Sequence, residues 1–115
     1  MEHQVVVYPA GERSNLVIEF YKKLNASSRC KVQRVLKYLQ EYGITPDIQN
    51  IKKLHGYDFW EVRILGKDNL RIFISELKNT IYVLHIFKKK SQTTPIKELY
   101  ITQKRLYNLR SELDL

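Results

Sequence analysis

Two arginines and a histidine on adjacent segments of this chain have the side-chain types that bind phosphate and transfer protons. Arg63 and Arg71 lie in two segments rich in β-branched and aromatic residues, and His85 lies in a third. A guanidinium group donates two parallel hydrogen bonds to phosphate oxygens, whereas imidazole exchanges a proton near neutral pH. The alternative for His85, alone in an otherwise apolar segment, is a packing role. Glu61 is most simply an ion-pair partner of Arg63 or Arg71.

Three segments must position these side chains. Phe59–Leu65, Leu70–Glu76 and Thr80–Lys88 are separated by short links containing glycine, asparagine and aspartate, which predicts an antiparallel meander. One side of this sheet, opposite its apolar side, mixes cations with aromatic residues, and we expect it to remain open to solvent. Alternation assigns the following residues to the apolar side: Trp60, Val62, Ile64, Leu70, Ile72, Ile74, Tyr82, Leu84 and Ile86.

The register of the meander decides which cations meet. Links of three residues, at 67–69 and 77–79, would keep apolar residues opposite apolar ones. Arg71 would then oppose His85, and Arg63 would lie one diagonal step from Arg71. We therefore expect the cations to cluster on the middle of the sheet, in a register that a β-bulge would change.

The N-terminal part of the chain predicts one strand and two helices. Residues 5–8 form a short strand, and residues 12–24 have the apolar periodicity of an amphipathic helix. A second helix begins with Ser27 or Ser28 as its N-cap and ends at Gly43. Because the link between the helices is short, we expect an antiparallel pair packed on the apolar side of the sheet.

The later segments complete a single α+β domain over residues 1–115. Residues 51–55 form either a short strand or a loop, and Thr94 and Pro95 begin a C-terminal helix with one apolar side. This helix could dock on the sheet or bind a partner. The expected architecture is an antiparallel twisted sheet, made of the meander and the N-terminal strand, packed against two N-terminal helices and followed by the C-terminal helix.

The net charge of +8 favours polyanionic partners, chiefly nucleic acid. Residues 51–115 carry thirteen lysines and arginines against seven acidic residues, whereas residues 1–50 carry seven and five. The alternative is a soluble basic domain whose charge only prevents association. The single cysteine, Cys30, falls in a helical apolar pattern, so we expect a buried thiol in a reducing compartment.

The sequence contains no pattern for a membrane span, a metal site or a cofactor site. No apolar run approaches the roughly 20 residues that cross a bilayer, and the N-terminus lacks a basic region followed by a hydrophobic one. We therefore expect a cytoplasmic protein. There is no cysteine and histidine set for zinc and no glycine-rich phosphate loop, and the three histidines are far apart. We expect neither metal nor cofactor.

Several motifs follow one another in a distinctive order. The string KKLHGYDFWEVRI precedes LRIFI, and YVLHIFKKKSQTTPIKEL with a basic helix comes after. This succession resembles the phage-derived, HigB-like branch of the RelE/HigB toxin superfamily over nearly the whole chain. The residues that carry the resemblance are Lys53, Leu54, Gly56, Trp60, Glu61, Arg63, Arg71, Leu84, His85, Phe87, Lys89, Lys90, Thr94 and Pro95.

The resemblance implies a RelE-like toxin of a type II toxin–antitoxin pair. Such proteins enter the ribosomal A site and cut messenger RNA, and their antitoxins are usually helix-turn-helix proteins. The implied mechanism is metal-free attack of a ribose 2′-hydroxyl on the adjacent phosphorus. The catalytic candidates are Arg63 and Arg71, which would grip the scissile phosphate, His85, which would transfer a proton, and Lys89. The expected RNA-binding residues are Lys52, Lys53, Phe87, Lys88 and Lys90.

Two other functions remain open at this stage. Some proteins with a similar fold inhibit DNA gyrase and cut nothing, so that a ParE-like inhibitor is one alternative. A basic nucleic-acid-binding module without toxicity is the other. The resemblance leaves the general base open, because superfamily members differ in their proton-transfer groups.

Overall fold

A five-stranded sheet with helices on both faces forms the framework of the protein. The computed structural model describes residues 2–8, 15–48, 50–90 and 94–115. Within these residues the elements in chain order are β1 (Gln4–Val7), α1 (Leu16–Lys22), α2 (Ala26–Tyr42), β2 (Ile51–Lys53), β3 (Trp60–Ile64), β4 (Leu70–Leu77), β5 (Thr80–Lys88) and α3 (Ile96–Glu112).

The sheet is mixed, with the strand order β1-β5-β4-β3-β2. The meander β3-β4-β5 is antiparallel as expected, and β2 joins β3 as an antiparallel strand. The expectation of a purely antiparallel sheet is wrong, because β1 runs parallel to β5, with Val5 opposite Ile81. Strand periodicity identified β1 as a strand but carries no information on the direction of its partner. Helices α1 and α2 supply part of the long connection between these parallel neighbours.

The first two helices begin with asparagine caps. The Oδ1 atom of Asn15 accepts from the Ile18 amide (3.0 Å), and that of Asn25 accepts from the Ser28 amide (2.8 Å). The expected serine cap of α2 is therefore wrong by two or three residues, because Asn25 already satisfies a free amide of the first turn. Gly43 ends α2 with a φ of 77° and donates to the Leu39 carbonyl (2.8 Å). Of the predicted helix at 12–24, residues 12–14 lie outside the described residues.

Helix α3 covers the sheet face that we expected to be open. One core lies between the sheet and α1 and α2, and is built from aliphatic residues such as Val32, Leu39 and Ile72. A second core lies on the opposite face, where α3 packs. Its buried members are Tyr8, Phe59, Phe73, Leu84, Phe87, Leu106 and Leu109. The expectation of a wet second face is thus wrong, since its aromatic residues are sealed by the apolar side of α3.

A tight turn and a β-bulge set the register of β5. Lys78 and Asn79 form a two-residue link, each with positive φ, as the right-handed twist of a hairpin favours. A register shift follows between Phe73 and Ile74, so that Ile74 pairs with Val83 while Phe73 pairs with His85. Leu84 is the extra residue. The predicted three-residue link and the apolar row through Leu84 are therefore wrong, because the extra residue reverses the alternation.

Two further expectations concern the surface. Cys30 is exposed, not buried, because it lies on the solvent side of α2. Within the described residues, no helix has both the length and the apolarity needed to cross a bilayer.

Candidate nucleic-acid interface

Arg63 and Arg71 are direct cross-strand partners. Strand β3 pairs with β4 so that Arg63 lies opposite Arg71 and Glu61 lies opposite Phe73. Directly opposed residues project from the same face of a sheet, so both side chains leave the sheet on the α3 side. The predicted diagonal relation is wrong, because residues 65–69 link the strands and shift the pairing by two positions. Arg71 faces Phe87 on β5, and not His85 as predicted.

Arg71 forms the buried floor of this site. Only 4% of the residue is exposed, and its Nη1 atom donates to Asn69 Oδ1 (2.9 Å) and to the Leu70 carbonyl (3.0 Å). Its Nε atom has no hydrogen-bond partner among the described residues. Burial lowers the pKa of Arg71, with a further lowering by the charge of Arg63, while Glu61 opposes the shift. A buried donor without a partner costs free energy unless a ligand satisfies it.

Glu61 is the acidic member of the site. It is 2% exposed, and its Oε1 atom lies 3.7 Å from Arg71 Nε, an ion pair longer than a hydrogen bond. The expected pairing of Glu61 with an arginine is therefore confirmed for Arg71. Thr94 Oγ1 donates to the other carboxylate oxygen (3.2 Å). One oxygen of the Glu61 carboxylate is therefore near Arg71 on β4, and the other accepts from Thr94, just before α3.

Lys52 and Lys89 complete the group of cations. Lys52 lies directly opposite Glu61 on β2, so it shares the same sheet face. Lys89 is half-buried, and its amide donates to the Asn69 carbonyl (3.0 Å). Burial lowers the pKa of Lys89, the charges of Arg71, Lys52 and Arg63 lower it further, and Glu61 raises it.

We call these four residues, Lys52, Arg63, Arg71 and Lys89, the cation cluster. Four positive charges there face one carboxylate, that of Glu61, and the side chains of Lys52 and Arg63 are exposed while Arg71 is buried. The cluster therefore has a solvent-exposed rim and a buried floor. Such an arrangement binds an oxyanion through charge and through fixed donors, and stabilises extra negative charge on phosphate.

The other expected RNA-binding lysines are not part of the cluster. Lys53 lies opposite Trp60 and Lys88 opposite Leu70, which places both on the other sheet face. Lys88 Nζ lies 3.7 Å from Asp68 Oδ1, and Lys90 is exposed beyond the end of β5. Strand alternation explains why Lys53 and Lys52, although adjacent in sequence, lie on opposite faces.

Phe87, the aromatic residue expected to bind RNA, is packed in the core. Phe87 is 4% exposed, its ring centroid lies 5.1 Å from that of Phe73, and it stacks on His85 at 5.3 Å. Phe73 itself is fully buried. The face of the Phe87 ring is therefore engaged by the protein and not available to a base in this conformation.

His85 belongs to a second polar group, beneath α3. Its Nε2 atom lies 3.4 Å from Glu98 Oε1, and its Nδ1 atom lies 3.1 Å from Arg105 Nη1. Arg105 Nη1 also donates to the Leu84 carbonyl (2.7 Å), at the bulge. Burial lowers the pKa of His85, as does the charge of Arg105, while Glu98 raises it. His85 is therefore neutral near pH 7 and separate from the cation cluster.

Sequence reasoning missed Glu98, Arg105 and Thr94 as site residues. Glu98 and Arg105 are seven positions apart, which is about two helical turns, so both project from one side of α3. That spacing is a recognisable signal once α3 is known to dock. Among the described residues, no three acidic, histidine or cysteine side chains come together as a metal-binding group.

A comparison with protein families places most of the chain within a known family model. A family model described as phage-derived protein Gp49-like matches residues 19–107, which span α2, the sheet from β2 to β5 and most of α3. The matched range contains every residue of the cation cluster together with His85. No curated protein matches the chain.

Proposed function

The chain belongs to the phage-derived Gp49-like family, a toxin-like family associated with toxin–antitoxin systems, and on that basis we propose that it is a toxin that cleaves messenger RNA. The resemblance to the RelE/HigB toxins supports the finer assignment to a ribosome-dependent endoribonuclease of a type II pair. In this proposal the partners are messenger RNA, the ribosomal A site and a helix-turn-helix antitoxin.

The unpartnered Nε atom of Arg71 carries the proposal. It lies at the buried floor of the cation cluster, where Glu61 neutralises only part of the positive charge. Lys89 and the exposed Arg63 supply further positive charge around it. A phosphodiester with its anionic oxygens at this position would satisfy the buried donor and relieve the repulsion between the cations.

The chemistry would follow the ordinary route of metal-free RNA cleavage. The 2′-oxygen forms a bond to phosphorus, the bond from phosphorus to the 5′-oxygen breaks, and the products are a 2′,3′-cyclic phosphate and a 5′-hydroxyl. A base removes the proton of the 2′-hydroxyl, and an acid protonates the leaving oxygen. Arg71 and Arg63 would stabilise the charge that develops on the phosphate oxygens.

We assign the role of proton donor to Lys89 because of its electrostatic surroundings. Its lowered pKa brings an ammonium group closer to the range in which it gives up a proton, and it shares the field of Arg71. His85, neutral because of burial and Arg105, has the protonation state of a base. Since Glu98 and Arg105 occupy its two nitrogens, His85 would act only after α3 or the side chain of Arg105 moved.

Induction of the chain in a bacterial host tests this function. We expect growth arrest and new 5′-hydroxyl ends within translated messages, mapped by sequencing, for the unaltered protein. Arg71→Ala is expected to abolish both, whereas Lys104→Ala, at an exposed position of α3, serves as the control. Arrest with intact messages and altered DNA topology would instead indicate gyrase inhibition, and harmless expression would indicate a nucleic-acid-binding module. Either result would overturn the proposed cleavage.

A further inference from the structure

The outer edge of β1 presents unused backbone groups. Tyr8 donates its amide to the Val83 carbonyl (3.0 Å), so the even-numbered residues of β1 bond to β5. The odd-numbered residues Val5 and Val7 therefore turn their amides and carbonyls away from β5. Strand β1 lies at the end of the sheet, with β5 as its only strand neighbour among the described residues.

Two contacts mark the ends of this edge. The His3 amide donates to the Gln40 carbonyl (2.6 Å) at the start of β1, and Asn15 Nδ2 donates to the Val7 carbonyl (3.4 Å) at its end. Between them, the amide and carbonyl of Val5 and the amide of Val7 point away from β5, by the alternation that the Tyr8 hydrogen bond fixes. Two donors and one acceptor are thus available in the pattern that an added strand would use.

Two apolar cavities adjoin the same edge. One, of about 350 Å³, lies between α1, α2 and β1, and the other, of about 420 Å³, lies between α2 and β1. Val7, Gln33 and Leu36 line both cavities, so the cavities are neighbours. Alternate side chains of a strand project to one face about 6.6 Å apart, which allows residues i and i+2 of one strand to enter adjacent cavities.

The composition of β1 does not protect its edge. Its four residues, QVVV, include neither proline nor a charged residue, two of the features that prevent exposed edge strands from pairing with another chain. Ile18, which lines the first cavity, is 37% exposed. The cavity rims are cationic, with Lys22 at the first and Lys37 at the second.

We propose that the β1 edge binds an extended segment of a partner polypeptide. The segment adds a sixth strand by pairing with the backbone of Val5 and Val7. It inserts two aliphatic side chains, at alternate positions, into the two cavities, and places acidic residues beside Lys22 and Lys37. The aliphatic lining selects the inserted side chains, and the cationic rims, in a chain of net charge +8, select the acidic flanks.

A labelled peptide with this pattern tests the proposal. The probe is fluorescein-labelled Asp-Thr-Val-Thr-Val-Thr-Asp, capped at both ends, and binding is followed by fluorescence anisotropy. Val5→Pro removes an amide that points away from β5, and Gln33→Trp fills the space between the cavities. We expect saturable binding to the unaltered protein and at least a tenfold weaker affinity for each variant, about 1.4 kcal/mol. Gln103→Trp, on the exposed side of α3, should bind normally.

Circular dichroism identifies a variant that fails to fold, in which case the other variant decides the result. Absence of saturable binding, or binding that neither variant weakens, would overturn the proposal. A dimer of the unaltered protein in sedimentation that Val5→Pro converts to a monomer would also overturn it, because the edge would then belong to a second copy. All these outcomes are independent of RNA cleavage.

Discussion

Arg63 and Arg71 face each other directly across β3 and β4, so two like charges occupy neighbouring positions on one side of the sheet. Directly opposed like charges destabilise a sheet. Glu61 pairs with Arg71 at 3.7 Å. Because the same carboxylate also interacts electrostatically with Lys89, it offsets only part of the repulsion between the two arginines. The remaining repulsion destabilises the sheet, and under the proposed function the negative charge of a bound RNA phosphate would offset it.

Replacement of Arg63 separates stability from activity. We expect Arg63→Gln to raise the free energy of unfolding by about 0.5 kcal/mol, because it removes one of two opposed charges from an exposed position. Under the proposed function, the same change should lower messenger cleavage at least tenfold, because it removes one of the two proposed guanidinium contacts to phosphate. Urea denaturation and 5′-end mapping measure the two effects. A variant that is less stable than the parent would show that Arg63 has a stabilising structural contact.

Glu61 should control the pKa of Lys89. Because the carboxylate raises this pKa, we expect Glu61→Gln to lower the pKa of Lys89 further, as measured by NMR titration of the Lys89 side chain. Glu76→Gln, at an exposed position later in β4, provides the control. An unchanged Lys89 titration would mean that the two groups do not share one electrostatic environment.

Acid should destabilise the fold through His85. Burial lowers its folded-state pKa below the ordinary value of 6.5, so the unfolded chain binds a proton more readily. The stabilising contribution is complete above pH 6.5 and is lost as the pH falls from 6.5 through the lowered value. Glu98 and Arg105 are the charged groups that contact the ring, and they act in opposite directions.

The corresponding experiment compares unfolding at several pH values. We expect the difference in unfolding free energy between pH 7.5 and pH 5 to be smaller in His85→Gln than in the parent. His55→Gln, in an exposed turn, should leave that difference unchanged. An identical pH dependence in His85→Gln and the parent would show that this ring does not titrate with folding.

Arg105 should both anchor α3 and set the titration of His85. Its Nη1 donates to the Leu84 carbonyl, so Arg105→Met is expected to lower the free energy of unfolding by about 1–3 kcal/mol, since a charged hydrogen bond to a buried carbonyl is lost. It should also raise the pKa of His85, because the charge of Arg105 lowers it. Thermal unfolding and NMR titration measure these effects, with Lys104→Met as the control. A lower His85 pKa in Arg105→Met would contradict this account.

Residue patterns predicted the elements better than their arrangement. The meander, the N-terminal strand and the three helices follow from periodicity, caps and turn residues. Two features depend on interactions that periodicity does not encode: the parallel pairing of β1 with β5, and the covering of the second face by α3. Phe73 and Phe87 on that face were a usable signal, because two large aromatic rings on one side of a sheet are rarely left in water.

The site was predicted in part for a similar reason. Lys52, Arg63, Arg71 and Lys89 come together, because cross-strand pairs keep their positions on one face. His85 does not join them, because the two-residue turn and the extra residue Leu84 changed the register of β5. A single added residue in a strand has no signature in an alternating pattern of apolar residues, so its effect on His85 could not be read from the sequence.

The bulge at Leu84 divides β5 into two parts that pair with β4 in different registers. The end near Lys78 and Asn79 is aligned with β1, whereas the end near Phe87 is aligned with Arg71. A change in the hairpin would shift the alignment of β5 with β1, whereas the bulge would leave the pairing of Phe87 with Arg71 in place. In terms of the two proposals above, substitutions that alter peptide binding at the β1 edge would then leave the proposed phosphate site unchanged, so that the two properties would evolve separately.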